Sequence, residues 1–469
     1  MLSKNTRGLI ILANHIVKNY DNLINSSKSE KNKLNKQILL DIAEVGIKAA
    51  SPQEAIFSNV KIENNVIKIT NKWQAEIKSN TKVFVIGAGK ATAGMAKALE
   101  SILGDKIFAG LINVLENDIN LHNKTSKIEF HPAGHPYVTQ DSIDGTKKII
   151  SLVKNLREDD LVICLISGGG SALLEKPIEG VTLADLEQVF NLITNSGGTI
   201  HELNTIRKNL SLVKGGKLAR IIQPAQILSL IISDVVGDTL DTIASGPTAP
   251  DNTTHKDAIN ILNKFDLKEQ LPDIIKRIYS LRSYRQYTDT VKANDPIFQR
   301  VLNIIIASNL ISCLKMEQYA KKLGYEVKIF STTLEGEAKF TGKVITDEIQ
   351  KQPNKTILIA GGETTVSITG SGKGGRNQEL ALAASEYLKG KENFSILSVG
   401  SDGIDGPTEA AGAIVDGYTI AKGTELGLDS KQYLENNDSY NFLSKTNNLI
   451  LTGPTGTNVG DFIIAVRND

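Results

Sequence analysis

The chain of 469 residues has only two cysteines, one tryptophan and three methionines, and aromatic residues make up 5% of it. Two thiols cannot build a disulfide scaffold. Cys164 and Cys313 each sit in an apolar run, which predicts buried free thiols and a reducing, cytoplasmic setting. An excess of one charge is missing too. Against 53 Lys and Arg stand 52 Asp and Glu, and a net charge of +1 excludes the broad basic surface of a nucleic-acid or acidic-membrane binder. No apolar run reaches the ~18 residues that span a bilayer. The run Leu9 to Ala13 is followed by His15 and Lys18, which reads as too short and too polar for a signal peptide. GxSxG and HExxH motifs are absent, so the serine-hydrolase elbow and the zinc-protease helix are excluded.

What remains is an ordinary soluble composition, 41% hydrophobic and 22% charged, long enough for two or three domains. The first segment, to about residue 56, predicts amphipathic helices, one beginning at Ile10-Ile11 and a second marked by Ile38, Leu39, Ile42, Val45 and Ile47. Val60 to Ile69 alternates around Glu63-Asn64-Asn65 and predicts a hairpin. Apolar strands then alternate with helices: Lys82 to Ile86, Phe108 to Val114, Leu161 to Ile166 and Ala225 to Ile232. That alternation predicts a parallel sheet with helices on both faces. The polar stretch from Asp251 to about Pro296 reads as a solvated connection. The expected division is therefore residues 1–285, a Rossmann-like α/β domain, and residues 286–469, a second domain with a mixed α/β sheet. The final strands, around Gly453 to Gly456, are left free to return to the first domain.

Four glycine-rich or acidic turns follow directly on strands, where open parallel sheets collect ligands, and all four are candidates for one cleft. In VFVIGAGKATAG, Gly87 and Gly89 frame a tight turn, and Lys90 stands at a helix start, where an anion is favoured. Thr92 occupies the place of the third glycine in a dinucleotide fingerprint, and the Walker A spacing is missing. In LVICLISGGGSALL, Ser167, Gly168, Gly169, Gly170 and Ser171 offer backbone N–H groups and hydroxyls to a phosphate or carboxylate. SDVVGDTLDTIASGPTAPD places Asp234, Asp238 and Asp241 after a strand, suited to Mg²⁺ or a substrate hydroxyl, with helix capping and turn chemistry as the structural alternative. SVGSDGIDGPTEAAGA sends Asp402 and Asp405 out of another strand.

A fifth and longer glycine-rich segment, GGETTVSITGSGKGGRNQE, sets Glu363, Lys373, Arg376 and Asn377 among glycines after the strand Thr356 to Ala360. The Arg376 fork suits phosphate or carboxylate. A carboxylate opposite Lys90 and Arg376 is what metal-dependent phosphoryl transfer needs. Among Arg207, Lys208, Lys214 and Lys217 the default is a solvated helix face, with Lys214 the candidate to turn toward a phosphate. His131 and His135, in HPAGHP, read as packing residues rather than metal ligands.

Together these motifs resemble the glycerate 2-kinase family, also called class II glycerate kinase, whose C-terminal part is the MOFRL domain. GAGKA, HPAGHP, SGGGSALL, RKNLSLVKGGKLA, SDVVGD, SGPTAPD, GGETTV, GGRNQELAL, SDGIDGPTEAAGA and GPTGTNVGD match in order from about residue 35 to 466. The resemblance implies two α/β domains with the site between them. It implies ATP-dependent transfer to the 2-hydroxyl of D-glycerate with Mg²⁺ or another divalent ion, in a monomer or homodimer. It also implies Lys90 and Arg376 as catalytic cations, Asp402 as their acidic partner, and Asp402 and Asp238 as metal candidates. Asn209, Glu175-Lys176, Glu409 and Gly460 depart from the family pattern, and those near the SGGGS turn bear on substrate choice. Two alternatives remain. An NAD(P)-dependent hydroxypyruvate reductase needs a cleaner dinucleotide fingerprint, and a non-catalytic sugar-acid binder needs no Lys90 or Arg376.

Overall fold

Val83–Ala88, Leu161–Ile166 and Gln226–Ile232 are apolar almost throughout, and a parallel sheet covered on both faces is the arrangement that buries such strands. The computed structural model describes residues 15–70, 72–118, 127–280 and 288–469, together with the backbone of the paired strands Ser3–Lys4 and Ile10–Ile11. The protein is α/β and divides into two units, residues 55–306 and residues 1–54 with 307–469. Among the described residues no helix is long and apolar enough to cross a membrane.

In the first unit a six-stranded sheet runs, edge to edge, Val301–Ala307, Gln226–Ile232, Leu161–Ile166, Val83–Ala88, Ile107–Leu115 and Ile128–Ala133. Its register sets Ala88 beside Ile166 and Ile166 beside Ile231, so three strands end level with one another. Their following turns, at Gly89-Lys90, Ser167–Ser171 and Ser233-Asp234, are neighbours for that reason. The hairpin Val60–Glu63 and Val66–Ile69 forms as expected, with Asn64 and Asn65 both at positive φ. A subsidiary core joins the helices Leu183–Asn195 and Ile200–Leu210 to Ala258, Leu262, Ile275 and Ile278. The stretch read as a solvated connection is thus part of this unit, because its Ile and Leu recur at helical spacing and pack. The described part of its aromatic–basic mix includes Tyr279, which is partly buried and packs against this core, whereas Tyr284 and Tyr287 lie outside the described residues.

The second unit holds a mixed sheet in the order Glu326–Leu334, Thr356–Gly362, Asp461–Arg467, Phe394–Gly400, Gly412–Asp416 and Leu449–Ile450. The first pair is parallel and the others antiparallel. Four features differ from the sequence expectation. The C-terminal strand lies in the middle of this sheet rather than returning to the other unit. The strand beginning at Val301 is an edge of the first sheet. The N-terminal helix Glu30–Ala50 belongs with the second sheet: Gly46 admits Met316, whose Sδ would lie 2.7 Å from any added Cβ, and Lys36 forms a buried ion pair with Asp416 at 3.2 Å. At Ile10-Ile11, where the expected helix begins, the described backbone is a short β-pair, as suits two β-branched residues; Ala13 lies outside the described residues, and the first helix among the described residues is Tyr20–Asn25.

Candidate functional site

Two clusters emerge, one in each unit. In the first, the strand Val83–Ala88 runs through Gly89 and Lys90 into the helix Thr92–Leu103. Gly89, at φ +145°, sits where a Cβ would lie 2.1 Å from Ser167 Oγ. Ala91 N donates to that Oγ at 3.0 Å, and Lys90 N donates to Gly168 O at 2.9 Å. The two turns are stitched together, and Ser167 serves the stitch. Gly87 answers a different need, since a Cβ there would lie 2.1 Å from Leu165 O on the neighbouring strand.

Around Lys90 the side chains close in. A Cβ on Gly168 would lie 1.9 Å from Asp234 Oδ2, and one on Gly169 would lie 2.9 Å from the His135 ring and 3.1 Å from Lys90 Cγ. Gly170 approaches Ala244, and the hydroxyls of Ser171 and Ser245 share a hydrogen bond of 2.9 Å. Burial raises the Asp234 carboxyl above its ordinary value, against the pull of Lys90. Burial, and then the Lys90 charge, lower the His135 imidazole, which favours its neutral form at pH 7. Lys90 has no carboxylate within salt-bridge distance among the described residues. A half-buried cation in no salt bridge among the described residues, beside glycine backbone, is an arrangement that takes an anion.

The basic run departs from its expected place. Lys208, Lys214 and Lys217 are buried. Lys208 pairs with Asp251 and, at 3.3 Å, with Asp241. Lys214, expected to face a phosphate, points into the core, bonded to Glu175 at 2.6 Å and Leu174 O at 2.9 Å. Lys217 donates to Lys208 O and Ser211 O, and burial lowers it to about 7. Each ammonium is taken up by carboxylates or carbonyls that the sequence pattern does not reveal. Asp238 stands in a turn at φ +56°, with its N–H on Val235 O.

In the second unit Arg376 opens the helix Arg376–Leu388. Its Nε and a terminal nitrogen donate to the two oxygens of Asp461 at 2.6 and 3.0 Å, and the other terminal nitrogen lies 2.8 Å from Glu363. Asp461 is 1% exposed, whereas the Arg376 side chain is 32% exposed, so one edge of the fork faces out. Burial alone would lower the guanidinium pKa, but Asp461 and then Glu363 raise it beyond its ordinary value. Asn377 donates to Asp461 at 3.0 Å and accepts from Ser398 at 2.6 Å.

The helix N-terminus itself is already satisfied. Asp405 accepts from Asn377 N, Gln378 N and Gln378 Nε2 at 3.1, 2.9 and 2.9 Å. Asp402 is less enclosed and bonds Ile404 N at 3.1 Å in an Asx turn. Asp461, the last residue of GPTGTNVGD, is a functional candidate that the motif pattern does not single out. The available signal was an acid at the start of an otherwise apolar strand. Gly460 has φ +85°, in the left-handed region that favours glycine.

Among the described residues no three Asp, Glu, His or Cys side chains gather as a metal cage. A divalent ion carried on nucleotide phosphates needs only one or two carboxylates, a number that Asp234 and Asp238 of the first unit meet without a dedicated cage.

The family described as a domain of unknown function, DUF4147, matches residues 38–280, and the MOFRL family matches residues 356–461. Glycerate 2-kinase of Pyrococcus horikoshii is 43% identical over 445 residues, covering 92% of this chain and 98% of the relative. D-glycerate 2-kinase of Thermotoga maritima is 40% identical over 82% of this chain and 90% of its own length. The crystal structure of glycerate kinase from Thermotoga maritima superposes with a TM-score of 0.81 at 37% identity, covering 92% of this chain and 99% of that one. By these likenesses the chain belongs to the glycerate 2-kinase family, with a MOFRL region at its C-terminal end.

Proposed function

We propose that this protein transfers the γ-phosphoryl group of ATP to the 2-hydroxyl of D-glycerate, giving 2-phosphoglycerate and ADP. The observation that carries the reading is the cradle of Lys90, which has no carboxylate within salt-bridge distance among the described residues, against the backbone of Gly168 and Gly169. Anionic oxygens complete that cradle. The acceptor oxygen attacks the γ-phosphorus, the bond to the bridging oxygen of ADP breaks, and the hydroxyl proton passes to a carboxylate. Asp234, raised by burial, is suited to take that proton, and Asp402 is the acid that the family resemblance names. Lys90 and Arg376 offset charge on the phosphoryl oxygens. Asp461 and Glu363 hold the Arg376 fork from behind and from one side. A bound Mg²⁺, held by Asp402 or Asp238 and the phosphates, would supply further charge neutralisation.

Nicotinamide chemistry finds less support. Thr92 fills the place of the third glycine, and its hydroxyl is turned back onto Gly89 O at 2.8 Å. A cytoplasmic location fits the two buried free thiols. The test is ADP release from ATP and Mg²⁺ on addition of D-glycerate. Release that depends on glycerate is expected. Release at the same rate without it, or none with any small hydroxy acid, contradicts the proposal.

A further inference from the structure

A cavity of about 660 Å³ opens beside the Lys90 cradle, within the same unit. At one end are His135, Gly169 and Ser171, which also surround or adjoin Lys90. At the other end the helix Leu183–Asn195 contributes Leu183, Leu186 and Phe190. Thr182 and Asp185 fix the start of that helix through a reciprocal cap. Arg207, near the end of Ile200–Leu210, lies over the Phe190 ring at 5.1 Å.

Two polar groups in this wall lack ordinary partners. Arg207 is mostly buried, yet its recorded hydrogen bond is a 3.4 Å contact to Asn204, and no carboxylate lies within salt-bridge distance among the described residues. Glu175 is 1% exposed. One of its oxygens takes Lys214, while the other, Oε1, is buried with no hydrogen-bond partner. That oxygen is closed to the cavity itself, and its charge acts on Arg207, whose guanidinium lines the cavity with donors to spare. The departure at Glu175 from the family pattern lies in the wall of this cavity rather than at the solvent surface.

We propose that this cavity holds the nucleoside of the phosphoryl donor. The base lies against Phe190, Leu186 and Arg207, and the phosphates run past Gly169 to Lys90. The volume lies in the ~300–1,000 Å³ range of sites for ligands of nucleoside size. A three-carbon acid has neither the bulk nor the apolar surface to meet an aromatic and two leucines. A flat base has both, and stacks on aromatic and guanidinium planes. The identity of the ligand rests on the kinase reading; the location rests on the cavity.

Calorimetric titration with ADP, alongside steady-state KM values for ATP and D-glycerate, tests the assignment on the full chain. Asn191→Trp fills the cavity from an exposed position that leaves the fold intact, and Phe190→Ala removes the stacking face. Each is expected to raise the ADP Kd and the ATP KM by about tenfold or more, with the glycerate KM within about twofold. An unchanged ADP Kd in both variants overturns the assignment, as does a rise confined to the glycerate KM. ADP binding by the wild type without transfer to glycerate refutes the acceptor and leaves the cavity to be judged by the variants. No ADP binding by the wild type refutes both.

Discussion

Replacing Asp461 with Asn isolates what holds Arg376 in place. The carboxylate receives two hydrogen bonds from one guanidinium, and it is nearly inaccessible. A hydrogen bond to a charged group contributes ~1.5–3 kcal/mol, and Asn preserves the shape and one acceptor while losing the charge and the second bond. Two effects reduce the loss. Arg376 is a third exposed, so solvent screens the pair. Burial raises the Asp461 carboxyl, so a neutral residue there relieves a desolvation cost. The net expectation is about 1–2 kcal/mol, or roughly 2–8 °C in Tm for a unit of this size. The kinetic effect is larger. A displacement of ~1 Å in a charged catalytic group costs ~10²-fold, so kcat should fall ~10–100-fold with both KM values within about threefold. Glu363→Gln is the control. That carboxylate is half exposed, and its loss should change stability by less than ~1 kcal/mol. Melting curves and initial rates on the three proteins decide the matter. An Asp461→Asn protein with wild-type kcat and Tm refutes the positioning argument.

Other consequences follow from single contacts. Lys90→Ala should abolish phosphoryl transfer with a Tm within a few degrees of wild type, because the ammonium is in no salt bridge among the described residues; turnover at the wild-type rate removes Lys90 from the mechanism. Lys214→Met leaves the Glu175 carboxylate buried and alone, and should cost about 3–5 kcal/mol, most of it recovered in the double variant with Glu175→Met. Denaturant unfolding of both reads this out, and a single variant as stable as the double would contradict it. Burial raises the Asp41 carboxyl to about 6, where it accepts from Tyr20 at 2.5 Å. The folded state then keeps a proton that the unfolded chain releases, so this contribution is present at low pH and is lost as pH rises through about 6. Asp41→Asn should accordingly be near neutral at pH 4 and stabilise by about 1–3 kcal/mol at pH 7.5. The reverse order in chemical melts would refute it.

Much of the fold was legible because strand and helix periods are local properties. The strands at Leu161–Ile166 and Thr356–Gly362 and the hairpin of Val60–Glu63 with Val66–Ile69 lie within a residue or two of where their patterns put them. Assignment to units was not legible, because it depends on pairing across long separations. The strand beginning at Val301 carries the same apolar pattern whichever sheet receives it, and helix Glu30–Ala50 joins the second unit through contacts such as that of Gly46 with Met316. The cradle was partly legible, since Lys90, Gly168, Gly169 and Asp234 all follow strands whose ends the register brings level. His135 was read as packing, and nothing in HPAGHP placed it against Gly169. Among the acids, spacing could not separate Asp402 from Asp405, because only the fold decides which of them meets the helix at Arg376. Nor could it show that Lys214 had a buried partner in Glu175, far away in the chain.

The central claim concerns which hydroxyl is phosphorylated, and coupling to enolase alone tests it most directly. Enolase dehydrates 2-phosphoglycerate to phosphoenolpyruvate, whose ultraviolet absorbance reports each turnover, whereas 3-phosphoglycerate is silent unless a mutase is added. Absorbance that rises with ATP, Mg²⁺, D-glycerate and enolase, with no mutase present, is the predicted result. ADP release accompanied by absorbance only after mutase addition would place the phosphoryl group on the 3-hydroxyl and contradict the account.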